Sequence, residues 1–145
     1  QAVKAASTGN LTLSGAQTVD GISLVASDRV LVKNQTTAAD NGIYIVSAGA
    51  WTRATDADSP SELDSATVFV QQGTVNADSG WTQTATIVTV GTTSQVWSQF
   101  SGSATYIWGD GLVATGNTIS VNMGAGITIL PSDEVGIDVV TGKAV

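Results

Sequence analysis

The C-terminal part of the chain repeats itself, and the repeat restricts the folds available to it. Residues 109–112 (Gly-Asp-Gly-Leu) followed by 119–121 (Ile-Ser-Val) recur about fifteen residues later as 124–127 and 135–137. Such a unit contains a glycine turn and a short alternating strand, which is too little to bury its own apolar face. It must therefore pack on neighbouring repeats or on other chains, as in a fibre.

We expect a parallel homotrimer, because three chains can close their strand edges around one axis whereas a lone pair of strands leaves them open to aggregation. Alternate residues of each short strand should then point inward. The predicted contacts between chains come from the apolar residues of the repeats and from the Trp that precedes them: Trp108, Leu112, Ile119, Val121, Ile127, Ile129, Val135, Ile137 and Val139.

The sequence as a whole predicts an all-β protein. A compact antiparallel β module over residues 1–103 is followed by a trimeric β stalk with regularly spaced glycines over residues 104–145. Asp20-Gly21 and Asn41-Gly42 predict hairpin turns because these residues tolerate positive φ. Ser59, Pro60 and Glu62 predict one helical turn at 61–63. The runs rich in strand-forming residues are 11–13, 22–25, 30–33, 43–46, 67–71, 81–90 and 96–100.

Composition removes several classes of function. The chain has no Cys and no His, which excludes Ser/His/Asp and Cys/His catalysis and zinc sites built from these residues. Twelve acidic residues against five basic ones give a net charge of −7, which disfavours nucleic acid and anionic lipid. No apolar run reaches the roughly eighteen residues of a membrane span. We therefore expect no nucleic-acid partner and no membrane insertion.

Carboxylates are the remaining candidates for catalysis or metal binding. Asp56 with Asp58, and Glu62 with Asp64, are the close acidic pairs of the N-terminal part, and paired carboxylates could cleave a glycosidic bond. A solvated acidic loop around Pro60 is the favoured interpretation. Asp56-Ala57-Asp58 also resembles the start of a calcium loop, but Pro60 and Ser61 break that pattern. We predict no catalytic residues, no metal and no cofactor.

Aromatic residues are the candidates for binding sugar, because a flat ring packs on the C–H face of a sugar while nearby polar groups bond to its hydroxyls. Trp81 and Trp97 lie within strand-like runs and are expected in the core. Trp51 lies beside a turn, where core and ligand roles are equally plausible. The candidate glycan-binding residues are Trp51, Tyr44, Asp56 and Asp58.

The N-terminal part resembles a module found in many bacteriophage tail fibres and tail-associated adsorption proteins. The segments that carry the resemblance are DRVLVK at 28–33, QT at 35–36, NGIY at 41–44, WTRATDAD at 51–58, VFV at 68–70, GT at 73–74, NADSGW at 76–81 and VWSQFSG at 96–102. The resemblance implies a place on the virion, in a long trimeric fibre used for host attachment. It transfers no receptor-binding residues, because the shared segments are typical of scaffold.

Two functions are therefore predicted. The first is a non-enzymatic structural and host-adsorption segment of a tail fibre, with other tail proteins and host bacterial polysaccharide or lipopolysaccharide as partners. The alternative is a fragment of a polysaccharide-cleaving tail spike, a glycoside hydrolase or lyase that uses a carboxylate pair. Release of oligosaccharide would distinguish the second from the first.

Overall fold

The computed structural model describes residues 1–102 and, beyond them, the backbone of four strands. The chain divides into two compact units, Gln1–Ser103 and Ala104–Val145. Regular structure in the described residues is nearly all β, in agreement with the predicted all-β class, and the short helices there are Ala38–Asp40 and Pro60–Leu63. Over the same residues, no helix has the length and apolar character needed to cross a bilayer.

Nine strands belong to the N-terminal unit. They are β1 Ala5–Ala6, β2 Thr18–Val19, β3 Ile22–Ser23, β4 Arg29–Val32, β5 Gly42–Ile45, β6 Thr52–Arg53, β7 Thr67–Val70, β8 Ser79–Gln83 and β9 Trp97–Ser101. They form a four-stranded sheet in the order β1-β4-β5-β6, a three-stranded sheet in the order β7-β8-β9, and the separate hairpin β2-β3.

Strand β4 lies between two hydrophobic clusters. Leu31 packs in the first, which also contains Leu63 and Trp97, whereas Val30 and Val32 pack in the second with Trp51. Both faces of β4 are therefore covered, which explains why three consecutive apolar residues are all buried.

The N-terminal segment connects the two sheets. Val3 exchanges backbone hydrogen bonds with β7, donating to Phe69 at 2.9 Å and accepting from Gln71 at 3.0 Å. Two residues later, Ala5 and Ala6 pair with β4 in a parallel register. The module was predicted to be antiparallel, but β1 and β4 run in the same direction. A short turn reverses the chain direction, so it cannot connect two parallel strands.

One predicted turn is confirmed and one is wrong. Asp20 and Gly21 have φ values of 51° and 80° and close the β2–β3 hairpin. Asn41 instead has a φ of −62° and ends the short helix, so β5 begins at Gly42. Gly42 itself has a φ of 148°, and a Cβ there would collide with the Arg53 guanidinium.

The strand predictions hold in most places but fail at two. Residues 11–13 form no strand, and β8 ends at Gln83 rather than continuing to residue 90. The hairpin between β5 and β6 pairs Tyr44 with Arg53. The helical turn is also confirmed, with Ser59 as its cap and Pro60 in its first turn.

The described strands of the C-terminal unit form two antiparallel hairpins. Strands β10 Leu112–Thr115 and β11 Thr118–Val121 form the first, and β12 Ile127–Ile129 and β13 Val135–Ile137 form the second. Each hairpin begins at the last residue of one of the repeated segments, Leu112 or Ile127. Trp108 and Val139, two of the predicted contacts between chains, lie outside the described residues.

Candidate functional site

Two predicted sugar-binding residues lie in the core. Trp51 is 6% exposed, and its Nε1 donates to the carbonyl of Gly15 at 2.9 Å. Tyr44 is 5% exposed, and its hydroxyl donates to the carbonyl of Asp40 at 2.7 Å. Burial of both rings leaves neither with a face for a sugar to stack on, so of the two roles left open for Trp51 the structure favours the core one and does not support Tyr44 as a sugar-binding residue.

Tyr44 is part of a polar cluster that holds the start of β5. The Arg53 guanidinium lies 5.0 Å from the centre of the Tyr44 ring and donates to the carbonyls of Asn41 and Ala39, both at 2.8 Å. Burial raises the pKa of the Tyr44 hydroxyl, although the nearby Arg53 charge opposes this. The cluster therefore satisfies backbone carbonyls around a loop rather than presenting groups to a ligand.

Asp56 is exposed but already paired. Its carboxylate accepts from both terminal nitrogens of Arg29, at 2.7 and 3.0 Å, in a two-pronged ion pair. The hydrogen bond from Arg29 lowers the pKa of Asp56. Asp58 is exposed as well, and its backbone N–H donates to Glu62 at 3.2 Å.

Glu62 caps the helical turn. Its carboxylate accepts from the Ser59 hydroxyl at 2.8 Å and from the Ser59 backbone N–H at 3.1 Å. The Ser59 hydroxyl is the main cause of a lowered pKa at Glu62. A glycosidase needs one carboxylic acid with a raised pKa. Asp56 and Glu62, one from each predicted pair, are both shifted in the opposite direction.

The ion pair at Asp56 predicts a pH dependence of stability. Because the pKa of Asp56 is lower in the folded than in the unfolded state, its ionised form stabilises the fold at neutral pH. This contribution disappears as the pH falls from about 4 through the lowered pKa. We expect Asp56→Asn to lower the free energy of unfolding at pH 7 by about 1 kcal/mol or less, since the pair is partly exposed.

Urea unfolding at pH 7 and pH 3 checks this prediction. The difference between the two pH values should be smaller for Asp56→Asn than for the wild type. Asp64→Asn is the matched control, since within the described residues the Asp64 carboxylate makes no hydrogen bond or ion pair. An equal loss of stability at pH 3 in all three proteins would contradict the assignment.

The exposed aromatic rings are ones that the sequence analysis missed. Phe69 and Phe100 are 55% and 53% exposed, and their ring centres are 5.8 Å apart in an edge-to-face arrangement. Phe69 lies between the buried Val68 and Val70 in β7. Side chains alternate between the two faces of a strand, so this order of residues indicates that the Phe69 ring faces outward. The outer face of the β7-β8-β9 sheet is thus the aromatic surface of the module.

Trp81 and Trp97, the other tryptophans among the described residues, do not present a free ring face to solvent. Trp97 is 7% exposed and belongs to the first cluster, as predicted for a core residue. Trp81 is half-buried, and the Lys33 ammonium lies 4.1 Å from the centre of its ring. Within the described part of the chain, no group of three His, Cys, Asp or Glu side chains is placed to hold a metal ion.

Comparison with protein-family models, with curated proteins and with solved structures found no match to this chain.

Proposed function

We propose that this chain is a structural and host-adsorption segment of a bacteriophage tail fibre. It assembles as a homotrimer on the virion, contacts other tail proteins, binds host surface polysaccharide or lipopolysaccharide weakly if at all, and performs no catalysis. The proposal combines the resemblance of the N-terminal module with the places that the shared residues take in the fold.

The observation that carries the proposal is that shared residues hold the module together. The Asp28 carboxylate accepts from the Lys4 ammonium at 2.7 Å and from the Val25 N–H at 2.8 Å. The Asn76 side chain donates to the carbonyl of Ala6 at 3.3 Å and to Asp20 at 3.0 Å. The bonds from Lys4 to Asp28 and from Asn76 to Ala6 and Asp20 join segments far apart in the chain, which supports the interpretation that the shared segments encode scaffold.

The two C-terminal hairpins favour association. Each is described as a two-stranded sheet, and an isolated two-stranded hairpin is at best marginally stable in water. The register places Ile127 opposite Ile137 and Ile129 opposite Val135. Opposite residues of an antiparallel pair share a face, so one face of the second hairpin is wholly aliphatic. Three such faces around one axis would bury each other.

The carboxylates favour adsorption over cleavage. Asp56 is held by Arg29 and Glu62 by its helical cap, and both have lowered pKa values. A general acid that protonates a leaving oxygen must keep its proton near neutral pH, which requires the opposite shift.

We expect the purified chain to release no new reducing ends from a panel of bacterial capsular polysaccharides and lipopolysaccharides. Any binding should be weak for each site, and linking three copies should raise the overall avidity about 10²–10⁴-fold without a new contact. A reducing-end assay and immobilised-glycan binding measure the two quantities.

Asp56→Asn and Asp58→Asn provide the decisive variants, with Asp64→Asn as the control for loss of one negative charge. Turnover that is present in the wild type and Asp64→Asn but lost in Asp56→Asn or Asp58→Asn would replace the adsorption function with polysaccharide cleavage.

A further inference from the structure

The outer face of the β7-β8-β9 sheet carries no charged residue and exposes two phenylalanines among Thr and Ser side chains. Phe69 of β7 and Phe100 of β9 pack edge to face on it, each more than half exposed. Phe69 lies opposite Gly80, and the Phe100 ring occupies the space where a Cβ of that glycine would be. The two rings thus cover the glycine of the central strand, and their other sides remain in solvent.

The absence of charge extends well beyond this face. No Asp, Glu, Lys or Arg occurs from Ser79 to Gly109, a segment that includes β8, β9 and the start of the C-terminal unit. Strand β7 is uncharged as well. Since each chain carries a net charge of −7, copies of it repel one another, and the repulsion is smallest where the surface carries no charge.

Strand β9 is also an exposed edge. Within the described residues it pairs with β8 alone, whereas the β7 edge of the sheet is covered by Val3. Proteins usually protect an edge with charged residues or proline, and the β9 sequence Trp-Ser-Gln-Phe-Ser contains neither. After Trp97 its residues are all exposed.

Strand β9 is joined to the C-terminal unit by a short connection. Phe100 precedes residue 104, where the C-terminal unit begins, by four residues. Four residues span at most about 14 Å, so in a trimer whose C-terminal units begin close together the three copies of β9 would also be close together. The uncharged face, the unprotected edge and this short connection point to the same occupant.

We propose that the Phe69–Phe100 face and the β9 edge form a contact between copies of this chain, in addition to the contacts of the C-terminal repeats. The inference rests on the proposed homotrimer and extends it into the N-terminal module. In the assembly, the Phe rings of one copy pack against the uncharged face of the next, which removes them from water.

The test uses single cysteines, because the natural chain has none. Substitution of Phe100 is avoided, since its ring also covers Gly80 within one copy. Ser98→Cys places a thiol on β9 at an exposed residue, and Ala48→Cys places one in the exposed turn between β5 and β6 as a control. Both full-length variants are labelled with a maleimide and, separately, treated with a short bismaleimide.

We expect the Ser98→Cys thiol to react about tenfold or more slowly than the Ala48→Cys thiol and to yield covalent dimers that Ala48→Cys does not form. Sedimentation of the wild type under the same conditions reports the assembly independently. A trimer whose Ser98→Cys thiol reacts as fast as the control overturns this inference and leaves the proposed homotrimer standing.

Two other results would also reject the proposed contact through the Phe69–Phe100 face and the β9 edge. Slow labelling without cross-linking would mean that β9 is covered by its own chain. A wild type that sediments as a monomer would overturn the homotrimer and this contact together.

Discussion

Replacing Ile119 and Ile137 together by Asp is expected to dissociate the proposed homotrimer into monomers. The register places Ile119 opposite Ala114 in the first hairpin and Ile137 opposite Ile127 in the second. In a parallel trimer each substitution places three carboxylates near the axis, and charges without partners are costly to bury. Sedimentation of the wild type and of the double variant measures the change in mass directly.

The matched control adds the same charge at alternate positions. Ser120 lies opposite Val113 and Thr128 opposite Gly136, so Ser120→Asp with Thr128→Asp modifies the other face of each hairpin. This control should sediment as a trimer. If the Ile119 and Ile137 double variant also remains a trimer with an unchanged melting temperature, the proposed core between chains is wrong.

Trp51→Ala is expected to destabilise the N-terminal module by about 3–5 kcal/mol, the range for removing a buried large side chain. The ring packs in the second cluster with Val30 and Val32, and its Nε1 donates to the carbonyl of Gly15. The substitution creates a cavity and also leaves that carbonyl without its donor. Urea unfolding of the full chain, followed by intrinsic fluorescence, gives the free energy of unfolding.

Trp51→Phe separates packing from ligand binding. It retains much of the ring volume and loses the hydrogen bond, so it should cost about 1–3 kcal/mol. Any binding to immobilised polysaccharide should be unchanged in this folded variant. Loss of binding with little loss of stability would return Trp51 to the sugar-binding role that its position beside a turn had suggested.

Local signals were sufficient for the parts of the fold that neighbouring residues control. Asp20-Gly21 predicted a hairpin because both residues adopt positive φ at low cost, and the structure has them at 51° and 80°. Ser59, Pro60 and Glu62 predicted the helical turn because the cap, the fixed φ of proline and the acidic first turn act within a few residues.

Asn41-Gly42 shows where a local signal fails. The pair has the composition of a hairpin turn, but the Asn41 side chain is buried and is hydrogen-bonded to one nearby and one distant residue. Its Oδ1 accepts from the Gln35 N–H at 2.9 Å, and its Nδ2 donates to the Gln95 carbonyl at 3.0 Å. The bond to Gln95 joins residues 54 positions apart, so no window of neighbouring residues contains it.

The candidate site was the least predictable part. Asp56 and Trp51 were selected for their chemistry, yet the ion pair with Arg29 and the packing of the ring on β4 decide what each can do. Conversely, the sequence did contain a signal for the exposed Phe69. Its alternation with Val68 and Val70 in a strand places it on the face opposite to theirs.

The sequence by itself determined the β class and the confirmed turns, because residue period and turn chemistry act over a few neighbours. Tertiary structure alone decided that β1 runs parallel to β4 and that both faces of β4 are buried. It also decided which polar and aromatic side chains remain free at the surface. These outcomes depend on segments that meet only in the folded chain, where burial and pairing of polar groups outweigh local preference.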